Sequence, residues 1–575
     1  MKNIRGKLLA GFLGLLASGA WGYDYDPLSQ ASHERLARFH EQFASPSWIE
    51  VAPRVHAGFA YDYSNFSIIE GDEGLILVDS GWFPGSVAKA EEAYRAQYSD
   101  KPIVAVVYTH IHGDHAGGIS AFVPEGTSPR VFAVEGWRER VEYQDTVFSS
   151  MVVRRSHSQM GTMLPTGESG TLGSAVGPAP RPNGVPGFLP PTDTVHKRES
   201  VTVAGVTMEF IPAAGDISEH MMVWLPEQRV LFAGDTVAGI FPFVATARYE
   251  PGRTAVGFMR TLKLALDLKP EVVVPGHGRM YLREKDVNDV LQANLDTIRF
   301  LRDQVDRYVI QGRSADWIIE HIELPPKLKA HPDLQRHYHR LDWIIRGLYF
   351  KRGGFVGDVH DLSRPNDGDL ARHITSLAGG PEKILERGRN TVSDDPRWAA
   401  SLAGYVLQGG YGEDLNQRAM TLRHDAFKRI ADLTASANER NYLLTAIKTE
   451  QGEIDWEESF GDLQLRRAAA RDVASLLGDY RTRYRAEQSD CGPFTLAVNL
   501  PEEDGREHYL TSKSCTLRYT MSPPNGRIDG AVSMDRKTLN ALWARQLSWL
   551  NALDSSELVI EKGGKATHDF LSLIE

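Results

Sequence analysis

Within six residues, His110-Ile111-His112-Gly113-Asp114-His115, the chain places three imidazoles and one carboxylate. Nitrogen and oxygen donors packed this densely suit a borderline-soft divalent metal such as zinc. A single histidine is more often a hydrogen-bonded structural residue than a ligand, but four donor residues in six positions reverse that weighting. The spacing also divides the set. His110 and His112 lie two apart, whereas Asp114 and His115 are adjacent and can turn toward a second position, so two metals are expected.

Donors of this kind need rigid elements to hold them. Ile103-Val104-Ala105-Val106-Val107-Tyr108 is an apolar, β-branched run that reads as a buried strand, and it delivers His110 at its carboxyl end. Ala116-Gly117-Gly118 then allows a tight turn. Three further runs end the same way. The stretch from Val201 to Ile211 reads as a strand and leads to Asp216, Glu219 and His220; Arg229 to Ala233 leads to Gly234-Asp235-Thr236; Val272-Val273-Val274 leads to Pro275-Gly276-His277. One such strand end would carry little weight, but together they point to a metal site assembled at the carboxyl edge of a sheet. A hairpin over residues 65–78 ends in Asp79, suited either to a turn or to orienting a ligand histidine by hydrogen bonding. With a helix expected over 86–97, strand, helix, strand and ligand loop give α/β organisation.

The 575 residues are enough for about three domains. A net charge of −11 offers no basic surface for a phosphate backbone, so nucleic acid is excluded as a partner. Lys2, Arg5 and Lys7 precede an apolar run from Leu8 to Leu16 and small residues up to Gly22, the layout of a secretory signal over residues 1–22. That run is too short for a membrane span, so the expected product is exported, soluble and periplasmic. Cys491 and Cys515 are the only cysteines; an oxidising compartment would let them pair, and two buried free thiols are the alternative.

Residues 144–200 are rich in Gly, Pro, Ser and Thr and read as a long irregular stretch; within it Arg154, Arg155 and His157 could face an anionic substrate or simply be solvated. A 3.6-residue apolar pattern marks a helix from Val287 to Asp306, another helix follows Pro332, and helical hairpins run from Asp395 to Gln451. From about Arg466 the pattern becomes α+β.

The H-x-H-x-D-H motif followed by Gly-Asp216-type, Gly-Asp235 and Gly-His277 loops resembles the metallo-β-lactamase superfamily. Tyr61-Asp62-Tyr63-Ser64-Asn65, Arg154-Arg155, Gly161-Thr162-Met163-Leu164-Pro165 and Leu324-Pro325-Pro326 look like signatures of its alkyl sulfatase branch, and the likeness spans nearly the whole chain past the leader. The resemblance implies an αββα sandwich over residues 23–310, an α-helical dimerisation domain over 311–455 and a sterol-carrier-like α+β domain over 456–575. It also implies two Zn2+ per chain, with His110, His112 and Asp216 on one, Asp114, His115 and His277 on the other, and Asp235 bridging. Asp114, Arg248 and His339 are the implied catalytic residues; Arg248, with Arg154 and Arg155, would bind the anion, and His339 would protonate a leaving alkoxide. The substrate implied is a sulfate ester with an apolar tail, the assembly a homodimer, and Trp543, Leu547, Trp549 and Leu550 candidates to line an apolar tunnel.

The chain departs from that family at Asp216 and Asp235, where glutamates are usual. The shorter reach leaves Glu219 or His220 as an alternative ligand to Asp216. It also keeps open hydrolysis of another ester, lactone, lactam or phosphoester, or a lipid-binding role with structural zinc.

Overall fold

Four strands open an antiparallel meander: β1 (Ser47–Ala52), β2 (Val55–Phe59), β3 (Phe66–Glu70) and β4 (Leu75–Val78). The chain then crosses over through the helix Pro84–Gln97, and β5 (Ile103–Val107), β6 (Arg130–Val134) and β7 (Asp193–Val195) extend the sheet in parallel. A second sheet holds β8 (Glu199–Val203), β9 (Val206–Pro212), β10 (Met221–Leu225), β11 (Val230–Gly234) and β12 (Val272–Pro275), the last pair parallel. This is a computed structural model, and it describes residues 28–137, 149–248, 250, 252–502, 507–523 and 526–575. The leader read over residues 1–22 lies outside the described residues.

Alternation along the strands builds three apolar layers. Ala105 and Val107 of β5 meet Phe232 of β11 and Val274 of β12 between the sheets. Ile103 and Val106 point the other way, onto Val87, Ala90 and Tyr94 of the first crossover helix. On the far side Leu231, Ala233 and Val273 pack against Phe258 and Leu262 of helix Ala255–Leu268 and Leu291 of helix Glu284–Ile310. Each fully buried Val, Leu or Phe contributes roughly 1.5–3 kcal/mol, so a strand buried on both faces is a firm footing for the loop after it. The result is an αββα sandwich.

Two local readings change. The single strand expected over 201–211 is a hairpin, because Ala204 (φ 48°) and Gly205 (φ 80°) form a turn with both central residues at positive φ. The irregular stretch expected over 144–200 contains the helix Ser149–Met160, whose Met151, Val153, His157 and Met160 supply apolar contacts that the surrounding Gly and Pro mask in the composition.

Beyond the sandwich, helices run from Ala315 to Glu450, with Pro396–Gly409, Glu413–Ala431 and Ala437–Glu450 packed in sequence. A third sheet follows: β13 (Phe494–Asn499), β14 (His508–Lys513), β15 (Thr516–Thr520), β16 (Gly530–Met534) and β17 (Leu558–Lys562), ordered β15-β14-β13-β16-β17. Trp543, Leu547 and Trp549 belong to the apolar core of that unit, and Trp543 also lines a cleft facing the helix Ser149–Met160. Of the two readings open for the cysteines, the structure shows the bond, Cys491 to Cys515. No helix among the described residues is long and apolar enough to cross a membrane.

Candidate metal centre and anion cavity

The two sheets are stitched together where their ligand-bearing strands end. Met221 N donates to Thr109 O (2.8 Å), and Asn65 donates from its backbone to Gly276 O (2.7 Å) and from its side chain to Pro275 O (2.9 Å) and Gly278 O (2.8 Å). These bonds bring His110, His112, Asp114 and His115 of one sheet against Asp216, Asp235 and His277 of the other. Two groups of donor atoms result, His110/His112/Asp216/Asp235 and Asp114/His115/His277, each set lying within 4.8 Å. Asp235 joins them: its carboxylate lies 3.9 Å from His110 Nε2, 3.3 Å from His115 Nε2 and 3.4 Å from His277 Nε2.

Each imidazole has its outer nitrogen occupied. His110 Nδ1 faces Thr109 Oγ1 (3.1 Å), His115 Nδ1 faces Asp79 Oδ2 (2.9 Å), His277 Nδ1 faces Tyr63 O (3.1 Å) and His112 Nε2 faces Glu250 Oε1 (3.3 Å). A donor hydrogen on that nitrogen leaves a lone pair on the inner one, the tautomer a metal requires. The inner nitrogens of His110 and His112 then stand 3.1 Å apart, and His112 Nδ1 sits 2.9 Å from Asp216 Oδ2. Lone pairs and carboxylates that close repel unless protons or metal cations lie among them. Burial opposes charge on His112 and His277, yet the carboxylates beside them, Asp216 and Glu250 for the first and Asp235 and Asp114 for the second, hold each ring up at about 9. Buried atoms of His115 (Nε2), Asp216 (Oδ1) and Asp235 (Oδ1) make no hydrogen bond. The residues therefore fit a group of bound divalent cations.

The support around the cluster is specific. Asp79, at positive φ (56°) after β4, accepts from Thr109 N and Thr109 Oγ1, both at 2.8 Å, as well as from His115. Such a backbone costs about 1–3 kcal/mol and persists only where its surroundings fix it. At Gly276 a Cβ would stand 2.3 Å from Asp235 Oδ1 and 2.7 Å from the His115 ring, so only glycine lets β12 approach the Asp235 carboxylate. Between the candidate ligands the geometry favours Asp216. Glu219 bonds to Ser218 Oγ (2.9 Å), and His220 is committed to Ala213 O (2.8 Å) and Asp235 N (3.2 Å).

Two polar residues of the centre carry no sequence signature. Arg253, 2% exposed, donates to Asp216 Oδ2 (2.8 Å), Asp216 O (2.9 Å) and Phe243 O (3.2 Å), fixing the ligand and its loop together. Glu250 faces the outer nitrogen of His112; burial raises its pKa, but His112, Arg248 and Arg253 bring it down to about 2. Both lie on an irregular segment with no periodicity, where only proximity in the fold reveals them.

Next to the ligands is a cavity walled by Asp114, Asp216, Asp235, His277, Arg248 and Tyr338. Arg248 donates weakly to Ser156 Oγ (3.5 Å), and its buried Nε makes no hydrogen bond. His339 is fully buried; burial, Arg253 and Arg248 keep its pKa well below the usual 6.5. Its Nδ1 accepts from Asn438 Nδ2 (3.1 Å), placing the ring hydrogen on Nε2, which bonds to nothing in the described residues. Arg154 and Arg155 do not join this cavity. Ser156, Gln159 and Met160 occupy the inward face of their helix, which turns Arg154 and Arg155 outward to a separate cleft against the C-terminal unit, where Arg154 lies 4.0 Å from Glu457.

Comparison with known proteins agrees with this architecture. Residues 61–277 match the metallo-beta-lactamase superfamily model and residues 314–452 the alkyl sulfatase dimerisation model. A linear primary-alkylsulfatase of Pseudomonas sp. is 30% identical over 404 residues, 68% of this chain and 76% of the relative. An alkyl/aryl-sulfatase of Saccharomyces cerevisiae is 24% identical over 538 residues, 92% of this chain and 82% of the relative. The fold also superposes on a stereoselective inverting sec-alkylsulfatase from Pseudomonas sp. with a TM-score of 0.79 at 23% identity, covering 95% of this chain and 88% of that one. On sequence, domain order and fold together, the chain belongs to the alkylsulfatase family of the metallo-beta-lactamase superfamily.

Proposed function

We propose that the protein is a dizinc hydrolase of sulfate esters whose alcohol carries an apolar tail, releasing the alcohol and inorganic sulfate. The observation that carries the reading is the cavity itself: a buried guanidinium and a phenol face a cluster of seven metal-type ligands across one small space. Two bound zinc ions would supply Lewis acidity and an activated water there, held by His110, His112 and Asp216, by Asp114, His115 and His277, and by Asp235 between them. The chain's own groups do the rest. Arg248 presents a planar fork to the sulfate oxygens, matched in geometry and charge to an oxyanion. Asp79, Glu250 and Arg253 hold three ligands in place, and Asp114 stands on the cavity wall as well as in the ligand set. His339 is not among the residues that wall the cavity, and burial with Arg253 and Arg248 keeps its ring uncharged, so it is not an imidazolium acid.

A structural zinc site is closed on all sides by protein ligands. This one borders a cavity, which favours catalysis over a lipid-binding role with structural metal. The dimerisation match over 314–452 supports a homodimer, and the residues before Gly22 support export to the periplasm. The test is release of inorganic sulfate from a long-chain alkyl sulfate, abolished by chelator and restored by zinc. No release from primary, secondary or aryl sulfate esters by zinc-loaded protein would overturn it.

A further inference from the structure

We infer that Tyr338 is a catalytic residue of this site, giving its phenolic hydrogen bond to the sulfate ester held by Arg248, and that Gln159 is the positioning residue that aims it. The inference rests on the sulfatase reading above.

Tyr338 is 6% exposed and stands on the cavity wall with Arg248. Its oxygen accepts from Gln159 Nε2 at 2.9 Å, so that bond does not use the phenol's own hydrogen. The amide cannot reverse its role without loss, because Gln159 Oε1 accepts from Thr246 Oγ1 at 3.1 Å. The protein acceptor beside the hydroxyl is the phenol oxygen of Tyr63, whose own hydrogen goes to Met160 Sδ at 2.6 Å. A neutral phenol oxygen is a poorer acceptor than an anionic sulfate oxygen. Of the other near groups, Arg248 and Arg253 are donors only, and the Asp114 carboxylate belongs to the metal-type donor cluster, 3.2 Å from His277 Nε2. A neutral O–H beside a guanidinium, with a second donor holding its oxygen from behind, is a preformed place for an anion's oxygen.

The scaffold behind this pair comes from the helical region. Asn441 Nδ2 donates to Gln159 O (3.1 Å), and Ser436 Oγ donates to Tyr338 O (2.8 Å). The helix Ala437–Glu450 and its cap therefore hold both residues by their backbones, which leaves the side chains free to serve the cavity.

Tyr338→Phe removes one oxygen and keeps the ring. The expected result is kcat/KM for an alkyl sulfate lowered by about 10²-fold, the usual cost of one donor to a charge-bearing oxygen, with inhibition by inorganic sulfate weakened and zinc content unchanged. Gln159→Glu leaves Tyr338 intact but offers a carboxylate that takes its hydrogen away from the cavity. It is expected to fall to within a few-fold of Tyr338→Phe, and the double variant to fall no further, since both single changes remove one interaction. A wild-type-like kcat/KM in Tyr338→Phe, or losses that multiply in the double variant, would overturn the assignment; if Tyr338→Phe does not fold, Gln159→Glu alone decides it. Wild-type protein that releases no sulfate defeats the functional reading instead, so the two failures are distinguishable.

Discussion

Replacing Arg253 by methionine tests how far the metal centre depends on a residue outside the donor cluster that holds one of its carboxylates. Methionine keeps much of the length and apolar body of the side chain but none of its donors. Three hydrogen bonds disappear: two to the backbone oxygens of Asp216 and Phe243, and one to the Asp216 carboxylate at 2.8 Å. Leaving a buried acceptor without its donor costs about 1–3 kcal/mol, and breaking a buried ion pair about 3–5 kcal/mol. Asp216 keeps His112 at 2.9 Å, so the lower end of each range applies and the three lost bonds together predict a stability loss of about 5 kcal/mol. The freed carboxylate should also weaken the first metal position by roughly 10–100-fold, as loss of a residue that orients a ligand does. Chelator competition on the purified variant reads the affinity, and thermal unfolding with and without zinc reads the stability. Arg253→Lys should fall between, because an ammonium restores charge but not the fork. Wild-type affinity at both metal positions in Arg253→Met would refute the reasoning, since Asp216 would then be held without its guanidinium.

Two further predictions concern stability. Burial and then Arg467 lower the His157 pKa from 6.5 to about 3, so the unfolded chain takes up its proton first as pH falls; this ring's contribution is complete above pH 6.5 and is lost at about 1.4 kcal/mol per pH unit down to about 3. His157→Gln should flatten the acid limb of the melting temperature against pH by one proton's worth, and an unchanged slope would show that the ring is not held neutral. Cys491→Ser opens a disulfide spanning 24 residues, for which chain entropy gives about 3 kcal/mol; calorimetry should show the C-terminal unit melting earlier while sulfate release at 25 °C is retained.

The clustered metal-type donors were the most legible part of the sequence, for a physical reason. A β-branched run must be buried, its end must emerge at the sheet edge, and a donor placed directly after it has little freedom. That logic located His110, His112, Asp114, His115, Asp235 and His277, and it identified Asp79 as one of two possibilities. Asp216 is set in a loop with two competing donors, and only the hydrogen bonds that commit Glu219 and His220 elsewhere separate them. Arg253, Glu250, Gln159 and Tyr338 were silent because each acts alone, far in sequence from the partner it serves: Arg253 to Asp216 spans 37 residues, Glu250 to His112 spans 138 and Gln159 to Tyr338 spans 179. No local pattern encodes contacts of that separation. The helix Ser149–Met160 was obscured by its Gly- and Pro-rich surroundings, and with it the fact that Arg154 and Arg155 face away from the cavity. The Ala204-Gly205 turn was hidden in an apolar run because a two-residue turn barely interrupts hydropathy.

The most direct measurement is inorganic sulfate released from a long-chain alkyl sulfate as zinc is titrated into metal-free protein. The account predicts no release without metal and a rise that levels off near two equivalents per chain, with Asp235→Asn failing to reach it because both positions share that carboxylate. Full activity in metal-free protein, or no sulfate release at two bound equivalents, would contradict it.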